Sequence, residues 1–386
     1  MLEKPNEFTD LRNKTMKPIR VLFDNQIFQL QRQGGISRYF TELIKAFNRN
    51  PELGVQPVLS QRNFWNKHLV NESGHPGLGL VTSRFKALAS LVFGHGKQRK
   101  LEESVDIVHV TFYLPGFYPS KCNAPVVATL YDMIPELHPQ KGRLWNPHFS
   151  KKSYLTKADM VLAISESAAN DMRNVLGIEK RAGITYLGVG PEFKSGLEAP
   201  SMASPLYYMF VGNRSGYKDV LTAFKAFAKF AVKTPEVRLL LVGGGPLNMT
   251  EIATMRNLGI SDRVDQRDVS SAELPNYYSN ALALLYPTNY EGFGLPLVEA
   301  MASQIPVLCS ETSINREICQ DAGNYFEVSD YESLFRLMES VSSDPKVFKD
   351  RIEIGKSRAD SFSWQRCAEA TANFYKELLG NCRRGA

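Results

Sequence analysis

The chain has 386 residues, of which 43% are hydrophobic and 22% are charged, and its formal net charge is +6. These proportions are ordinary for folded proteins and exclude a disordered, collagen-like, coiled-coil or disulfide-scaffold protein. At about 150 residues per domain, the length predicts two or three domains. Since no run of about 18 apolar residues occurs, we expect no membrane-spanning helix.

The N-terminal segment and the cysteines both favour a cytoplasmic protein. Residues 1–17 mix acids, bases and prolines without the apolar stretch of a secretory signal, which predicts a flexible tail. No two cysteines form a C-x-x-C pair, so we expect free thiols in a reducing compartment. The five are Cys122, Cys309, Cys319, Cys367 and Cys382.

Positive charge is concentrated in the first half of the chain. Residues 1–200 hold 26 Lys and Arg against 18 Asp and Glu, whereas residues 201–386 hold 20 against 22. This asymmetry predicts a negatively charged partner for the first half, and an anionic membrane surface or a phosphorylated substrate fits better than nucleic acid, because no basic run is interleaved with aromatics. An ordinary solvated surface explains the same numbers.

In the first half, short apolar runs alternate with amphipathic segments of helical length. Ile36–Phe47 has apolar residues at helical spacing, and Ser165 is predicted to cap a helix that begins with an acidic turn. The predicted strands are Pro18–Asn25, Val55–Ser60, Val105–Val110, Val126–Tyr131 and Met160–Ile164.

The pattern lapses between Gly188 and Pro205, where Gly, Pro and Ser are frequent, and this stretch is predicted to be a linker. It then resumes, and Trp364–Leu379 is predicted to be a long final helix. Such alternation indicates an α/β protein with two doubly wound, Rossmann-like parallel-sheet domains, which bind ligands at the carboxyl ends of their strands. The strands predicted here are Leu206–Val211, Val237–Val242, Ala281–Tyr286, Ile305–Cys309 and Tyr325–Val328.

The most informative motif is YPTNYEGFGLPLVEAMA at residues 286–302. Gly292 and Gly294 allow close backbone approach, and the helix predicted from Leu295 directs free N–H groups at a ligand, which suits a phosphate. Glu291 and Glu299 would each repel a nearby phosphate by roughly 1 to 4 kcal/mol. They fit only if they face hydroxyl groups, such as those of a sugar and a ribose. A helix start with acids nearby by chance is the alternative.

Other strand ends carry further candidates. Arg214 and Lys218 follow the strand that ends at Val211 and suit phosphate oxygens, although each type is more often a surface charge. Gly34 and Gly35 open a helix and offer a second phosphate site or a plain tight turn. His109 is a candidate acceptor contact or a structural residue. Gly243–Gly245 form another loop, but no G-x-G-x-x-G is present, which weakens a dehydrogenase interpretation.

Six segments in order resemble the family 4 retaining glycosyltransferases of the GT-B fold, and the resemblance spans Ile19 to the final helix. The nearest branch builds O-antigen and other surface polysaccharides, and mannosyltransferases are common in it. The segments are DNQIFQLQRQGGISRYF, TLYDMIPELHP, VLAISESAANDM, FVGNRSGYKDVLTAFKAF, LVGGGP and YPTNYEGFGLPLVEAMA.

The resemblance implies a role for each matching residue. Glu291 would hold the hydroxyls of the donor sugar and Glu299 those of the ribose, while Arg214 and Lys218 would neutralise the diphosphate. The donor would also meet the amides of the residues around the glycine turn and the N-terminal glycine loop, which are Gly292, Phe293, Gly294, Leu295, Gly34 and Gly35.

The resemblance also implies the domain organisation. Residues 1–17 would form the tail, 18–195 an acceptor-binding domain, 196–362 the nucleotide-sugar domain, and 363–386 a final helix. The sequence is compatible with packing of this helix on either domain, including back on the first. No cofactor or metal is expected, because the sequence has no D-x-D motif and no His/Cys/Asp cluster. Stabilisation of the leaving group is therefore assigned to Arg214, Lys218 and helix N-termini.

Two departures from the family pattern concern the reacting centre. Tyr131-Asp132 stands where many relatives have His-Asp, and a tyrosine with a pKa of about 10 cannot act as a base near neutral pH. Asn213 occupies the position of the usual phosphate arginine, so that Arg214 lies one position later.

The expected function is transfer of a hexose, preferably mannose from GDP-mannose, to a glycan or polyprenyl-linked acceptor by front-face attack with retention. The enzyme would be cytoplasmic, with peripheral contact at the inner membrane face. The alternatives are a GT-B nucleotide-sugar epimerase and a non-catalytic nucleotide-binding assembly subunit.

Overall fold

Two parallel six-stranded sheets form the framework of the protein. The computed structural model describes residues 17–60, 63–75, 77–81, 83–86, 89, 104–139, 149–194, 206–214 and 216–384. Within them the chain divides into two compact units: Met1–Ala128, Ala158–Met160 and Thr371–Ala386 make up unit 1, and Thr129–Lys157 and Val161–Ala370 make up unit 2. The predicted domain boundary at 195/196 lies outside the described residues.

The first sheet has the strand order β2-β1-β5-β6-β7-β8. Its strands are short apolar runs, as expected for parallel strands that are covered on both faces. They are Ile19–Phe23 (β1), Val55–Leu59 (β2), Ile107–Val110 (β5), Val126–Leu130 (β6), Met160–Ala163 (β7) and Ala182–Ile184 (β8). Asn63–Phe64 (β3) and Gly79–Leu80 (β4) form a separate two-stranded sheet.

The second sheet has the order β11-β10-β9-β12-β13-β14, with parallel pairing throughout. Its strands are Tyr207–Val211 (β9), Arg238–Val242 (β10), Val264–Arg267 (β11), Ala283–Tyr286 (β12), Val307–Ser310 (β13) and Gly323–Phe326 (β14). The carboxyl ends of β9 and β12, which carry the predicted motifs, are therefore neighbours at one edge of this sheet.

Helices connect the strands, and fourteen are defined among the described residues. Those of the first half are Gln26–Leu30 (α1), Gly35–Arg49 (α2), Lys67–Glu72 (α3), Ile134–Leu137 (α4), Lys151–Lys157 (α5) and Glu166–Leu176 (α6). Those of the second half are Val220–Ala231 (α7), Met249–Asn257 (α8), Leu274–Ser279 (α9), Leu295–Ala302 (α10), Ser313–Cys319 (α11), Tyr331–Ser343 (α12), Lys349–Ala359 (α13) and Trp364–Arg384 (α14).

The core of the second sheet shows why these segments fold as they do. Helix α7 places Ala223, Phe224 and Phe227 on one buried stripe, at the spacing of a single helix face. This stripe belongs to the same cluster as Leu239 and Leu241, which alternate along β10. Full burial of each large apolar side chain contributes about 1.5–3 kcal/mol, so this packing fixes the sheet whose edge carries the motifs.

All predicted strands are present, with ends that shift by one or two residues. The prediction missed the two-residue strands β3 and β4 and also β8 and β11, of which the last two have the sequences AGI and VDQR. Strands β8 and β11 each lie at an edge of their sheet, where a strand needs few apolar residues. In the described part of the chain, no helix combines the length and the apolar character needed to cross a membrane.

Candidate active site

A buried ion pair lies where β9 and β12 end. Lys218, at the end of a short 3-10 turn, donates to the Glu291 carboxylate, and each residue is 8% exposed. The Lys218 ammonium also lies 5.4 Å from the centre of the Tyr286 ring and 5.6 Å from that of Tyr217. Two residues singled out in separate motifs are thus in direct contact, and their charges compensate each other.

The turn after Glu291 is built from glycines for steric reasons. A Cβ on Gly292 would lie 1.8 Å from the carbonyl oxygen of Tyr131, so only glycine fits there. Gly294 has a φ of 93° and precedes helix α10 without a side-chain cap. The first amides of α10 therefore remain available to an anionic ligand, as free N–H groups at a helix N-terminus do.

Phe293 and Leu295 contribute to this turn through their backbone. The Phe293 ring is buried, with its centre 5.7 Å from that of Phe362 and 6.2 Å from that of Tyr186. Its side chain thus anchors the turn to the core and leaves the amide as the group that can meet a ligand. Leu295 is the first residue of α10.

Glu299 lies in the middle of α10 and is buried as well. Tyr278 donates a hydrogen bond to its carboxylate, with 2.9 Å between Oη and Oε2. Both Tyr278 and Glu291 lie close enough to Tyr286 to act on its hydroxyl: burial, and then the charge of Glu291, raises the pKa of Tyr286. Glu291 and Tyr278, the donor to Glu299, thus both act on one buried tyrosine.

Tyr131 and Asp132 occupy the turn after β6. Asp132 Oδ1 accepts a hydrogen bond from the amide of Ile134 at 2.9 Å, which stabilises the turn. Lys151, almost fully buried, donates to the carbonyl oxygen of Asp132 and to Glu136, both at 2.8 Å. The Asp132 carboxylate thus stabilises the backbone of the turn, and the Tyr131 carbonyl lies against Gly292.

Tyr290 connects the turn after β6 to the turn after β12. Its hydroxyl accepts from the amide of Met133 at 3.0 Å and donates to Asp171 at 2.6 Å. Ser165 donates to the carbonyl oxygen of Gly292 at 2.7 Å while it caps α6, as predicted. Sequence reasoning missed Tyr290, Lys151 and Tyr278 as site residues. Of these only Tyr290 lies inside a recognised motif.

Arg214 is placed differently from the expectation. Its guanidinium does not pair with Lys218 across a common space but donates to Glu251 at 2.8 Å and to the carbonyl oxygens of the loop after β10. Arginine can make all of these bonds because its planar guanidinium presents several N–H donors at once. Joint neutralisation of a diphosphate by Arg214 and Lys218 stays a prediction.

Unit 1 holds the three remaining candidates. Helix α2 begins at Gly35, as predicted, and a Cβ on Gly34 would lie 2.5 Å from Gln31 Oε1. His109 is fully buried among the rings of Phe23 and Phe40, and its Nδ1 lies 2.6 Å from the hydroxyl of Tyr375. Burial lowers the pKa of His109 to about 3. The expectation of an acceptor contact is thus corrected, because an enclosed imidazole cannot reach an acceptor.

No group of three or more His, Cys, Asp or Glu side chains arranged to hold a metal ion occurs within the described ranges. The five cysteines have no disulfide among them, and Cys309 and Cys319 are both buried.

Comparisons with known proteins agree with this geometry. The family model described as "Glycosyltransferase Family 4" matches residues 33–193, and the model "Glycosyl transferases group 1" matches residues 200–358. Together they span most of the chain, and the second match contains Lys218, Glu291 and Glu299.

Relatives and solved structures match over most of the chain. O-antigen chain mannosyltransferase B of Escherichia coli is 25% identical over 378 residues, which cover 89% of this chain and 96% of the relative. O-antigen chain mannosyltransferase RfbU of Salmonella typhimurium is 36% identical over 141 residues, covering 36% of this chain and 39% of that protein. The crystal structure of a glycosyltransferase from Rickettsia africae matches with a TM-score of 0.71 at 16% identity, over 95% of this chain and all of that one. The chain therefore belongs to the family 4 glycosyltransferases and has the GT-B fold.

Proposed function

We propose that this enzyme transfers a hexosyl group, preferably mannose from GDP-mannose, to a glycan or polyprenyl-linked acceptor in the synthesis of a surface polysaccharide. The names of the E. coli and Salmonella relatives support the sugar and the process. The observation that carries the proposal is the buried Lys218–Glu291 pair beside the N-terminus of α10. A cation and a carboxylate in contact fit a ligand in which phosphate and sugar hydroxyls are adjacent.

Each group has a role that follows from its chemistry. Lys218 and the amides of residues 293–295 would stabilise the diphosphate as negative charge accumulates on it, which is the main source of catalysis in charge-separating reactions. Glu291 would accept hydrogen bonds from hydroxyls of the sugar. Glu299 would accept from the ribose hydroxyls and keep its bond from Tyr278.

The proposed reaction is the one that the family resemblance implies. The bond between C1 of the sugar and the diphosphate oxygen breaks through an oxocarbenium-like state. A bond forms between C1 and the acceptor hydroxyl on the same face, and the acceptor's proton passes to the departing diphosphate oxygen. The anomeric configuration is retained, and neither an enzymic nucleophile nor a metal ion takes part. Tyr131 orients the sugar and exchanges no proton in this scheme.

Unit 1 would face the acceptor and the inner surface of the membrane. Its surface exposes Phe85, which is 81% exposed between the exposed Arg84 and Lys86, and Leu80, five residues earlier in the chain, is exposed as well. An apolar ring between two cations fits an anionic lipid surface, where rings enter the interface and cations meet headgroups. Cosedimentation with phosphatidylglycerol vesicles, but not with phosphatidylcholine vesicles, is the expected result; the variant Phe85→Ser should sediment less.

The decisive experiment combines donor binding and transfer. A panel of GDP- and UDP-sugars is scored by ligand-induced thermal stabilisation, and the best donor is then tested with a polyprenyl-linked oligosaccharide in the presence of EDTA. GDP-mannose should stabilise most and should yield an acceptor-dependent α-linked product. Release of free sugar or nucleotide without acceptor would indicate an epimerase, and binding without turnover a non-catalytic subunit. A strict requirement for a divalent metal would contradict the metal-free scheme.

A further inference from the structure

The Arg214 side chain is enclosed, with 3% of its surface exposed. Its Nη1 donates to the Gly243 carbonyl at 2.6 Å, and its Nη2 donates to the carbonyls of Gly245 at 2.8 Å and Pro246 at 3.0 Å. A guanidinium has no acceptor and only five N–H donors, so these bonds and the one to Glu251 leave little for another ligand. The side chain is therefore committed to the loop after β10.

That loop, residues 243–246, has an unusual backbone. Gly243, Gly244 and Gly245 have φ values of 79°, 76° and 71°, in the left-handed region that residues other than glycine rarely adopt. With three successive residues in this conformation, the carbonyl oxygens of the loop face the guanidinium of Arg214. A Cβ on Gly244 would lie 2.5 Å from Nη1 of Arg214. The conformation of the loop and the position of Arg214 thus depend on each other.

The charge of Arg214 is compensated within the same network. Its Nε donates to Glu251 Oε1 at 2.8 Å. The other carboxylate oxygen accepts from the amide of Asn248 at 2.8 Å, which completes the capping box at the start of α8. Since Glu251 is itself buried and turned towards Arg214, the pair is neutral towards its surroundings.

The loop nevertheless borders the donor site. A Cβ on Gly243 would lie 3.8 Å from the carbonyl oxygen of Gly212, and one on Gly244 would lie 3.0 Å from the same atom. Gly212 in turn packs under Lys218, whose Nζ lies 3.9 Å from the Cβ position of Gly212. Loop 243–246 is therefore separated from the Lys218–Glu291 pair by a single residue.

From these contacts we infer that Arg214 is a positioning residue: it shapes loop 243–246 as a wall of the donor site and does not contact the diphosphate. The inference rests on the proposed function, which supplies the ligand, a nucleoside-diphosphate sugar. It differs from the role expected by resemblance, in which Arg214 and Lys218 neutralise the diphosphate together. Lys218 is then the side-chain cation that recognises phosphate at this strand end.

The test compares a ligand that carries phosphates with one that has none. Affinities of GDP and guanosine are measured by displacement of a fluorescent GDP analogue, for the wild type, Arg214→Ala, Arg214→Lys and Lys218→Met. Loss of Lys218 should weaken GDP by about 10- to 150-fold, as for a charge-assisted hydrogen bond, and leave guanosine unchanged. Arg214→Ala should weaken both ligands by the same factor, within about twofold, the usual limit of additivity.

Arg214→Lys separates charge from shape. A lysine keeps the positive charge but cannot bond several carbonyls as a fork, so it should behave like the alanine variant. Recovery of GDP affinity in Arg214→Lys, a loss confined to GDP in Arg214→Ala, or unchanged affinity for both ligands would each overturn the inference.

Gly244→Ala provides a second route if the arginine variants do not fold. It keeps Arg214 and displaces the loop, and it should reduce the affinities of GDP and guanosine together; a GDP-only loss would contradict the inference. If the wild type binds UDP instead of GDP, the same comparison uses UDP and uridine. Failure of the wild type to bind either nucleotide would contradict the proposed function, whereas the pattern of losses tests the inference alone.

Discussion

Replacement of Lys218 by methionine separates the structural role of the buried ion pair from its role in binding. Lys218 and Glu291 are each 8% exposed, so the variant leaves a carboxylate that is buried without its cation. Removal of one partner of a buried pair costs about 3–5 kcal/mol of stability. Removal of the phosphate contact costs about 1.5–3 kcal/mol of binding, which corresponds to about 10- to 150-fold in Kd.

The double variant Lys218→Met with Glu291→Gln distinguishes these two effects. With both charges removed, no buried charge is left unpaired, and the melting temperature should return most of the way to that of the wild type. The affinity for GDP, measured by calorimetry, should stay as weak as in the single variant. Stability and binding should thus respond in opposite ways to the second substitution.

Lys229→Met is the matched control, because Lys229 forms an ion pair with Glu332 in which both side chains are at least 40% exposed. Exposed pairs contribute about 0–1 kcal/mol, so stability should change little and GDP binding not at all. The reasoning is refuted if Lys218→Met binds GDP as tightly as the wild type, or if the double variant regains GDP affinity together with stability.

Two further changes test the surroundings of the site. Asp132→Asn keeps an oxygen that can accept from Ile134 and should retain transfer activity within about threefold, whereas Asp132→Ala should lose the turn and about tenfold in rate; equal losses in both would instead indicate that the charge itself is required. Burial lowers the pKa of His109 from 6.5 to about 3, so that on acidification the unfolded state binds the proton before the folded state does. The free energy of unfolding should therefore fall by about 1.4 kcal/mol for each pH unit from pH 6.5 down towards pH 3. In urea unfolding at pH 7 and pH 5, His109→Gln should be less sensitive to acid than the wild type; an identical pH dependence would contradict the burial of an uncharged imidazole.

The fold could be predicted from the sequence because its strands are buried on both faces. Short runs such as LLLV and ALLY, each followed by turn residues, are typical of such strands, and the glycine turn before Leu295 marked the start of α10. The sequence predicted that Lys218 and Glu291 belong to one site, but it did not predict that they are in contact. It follows from the neighbouring positions of β9 and β12, although β10 and β11 lie between them in the chain.

Other features depend on long-range contacts that leave no local signal. Nothing in the sequence around Arg214 indicates that carbonyl oxygens some thirty residues later will surround its guanidinium. Lys151 lies outside the recognised motifs, yet its ammonium donates to the carbonyl oxygen of Asp132. His109 lies one residue before the end of β5, where ligand-binding residues are often found, but Tyr375 of the last helix encloses it. In each case the partner, and not the residue type, decides the role.

The central claim is that Glu291 contacts the donor sugar while the nucleotide is held by other groups. Its most direct test is the rate of mannosyl transfer by Glu291→Gln, measured beside GDP affinity, with Glu339→Gln as the control because Glu339 lies in an exposed pair with Lys233. Transfer should fall by about 100-fold or more, as expected when a group that acts on the transition state is removed, with GDP affinity preserved or increased. Transfer by Glu291→Gln at a rate within about threefold of the wild type would contradict the account.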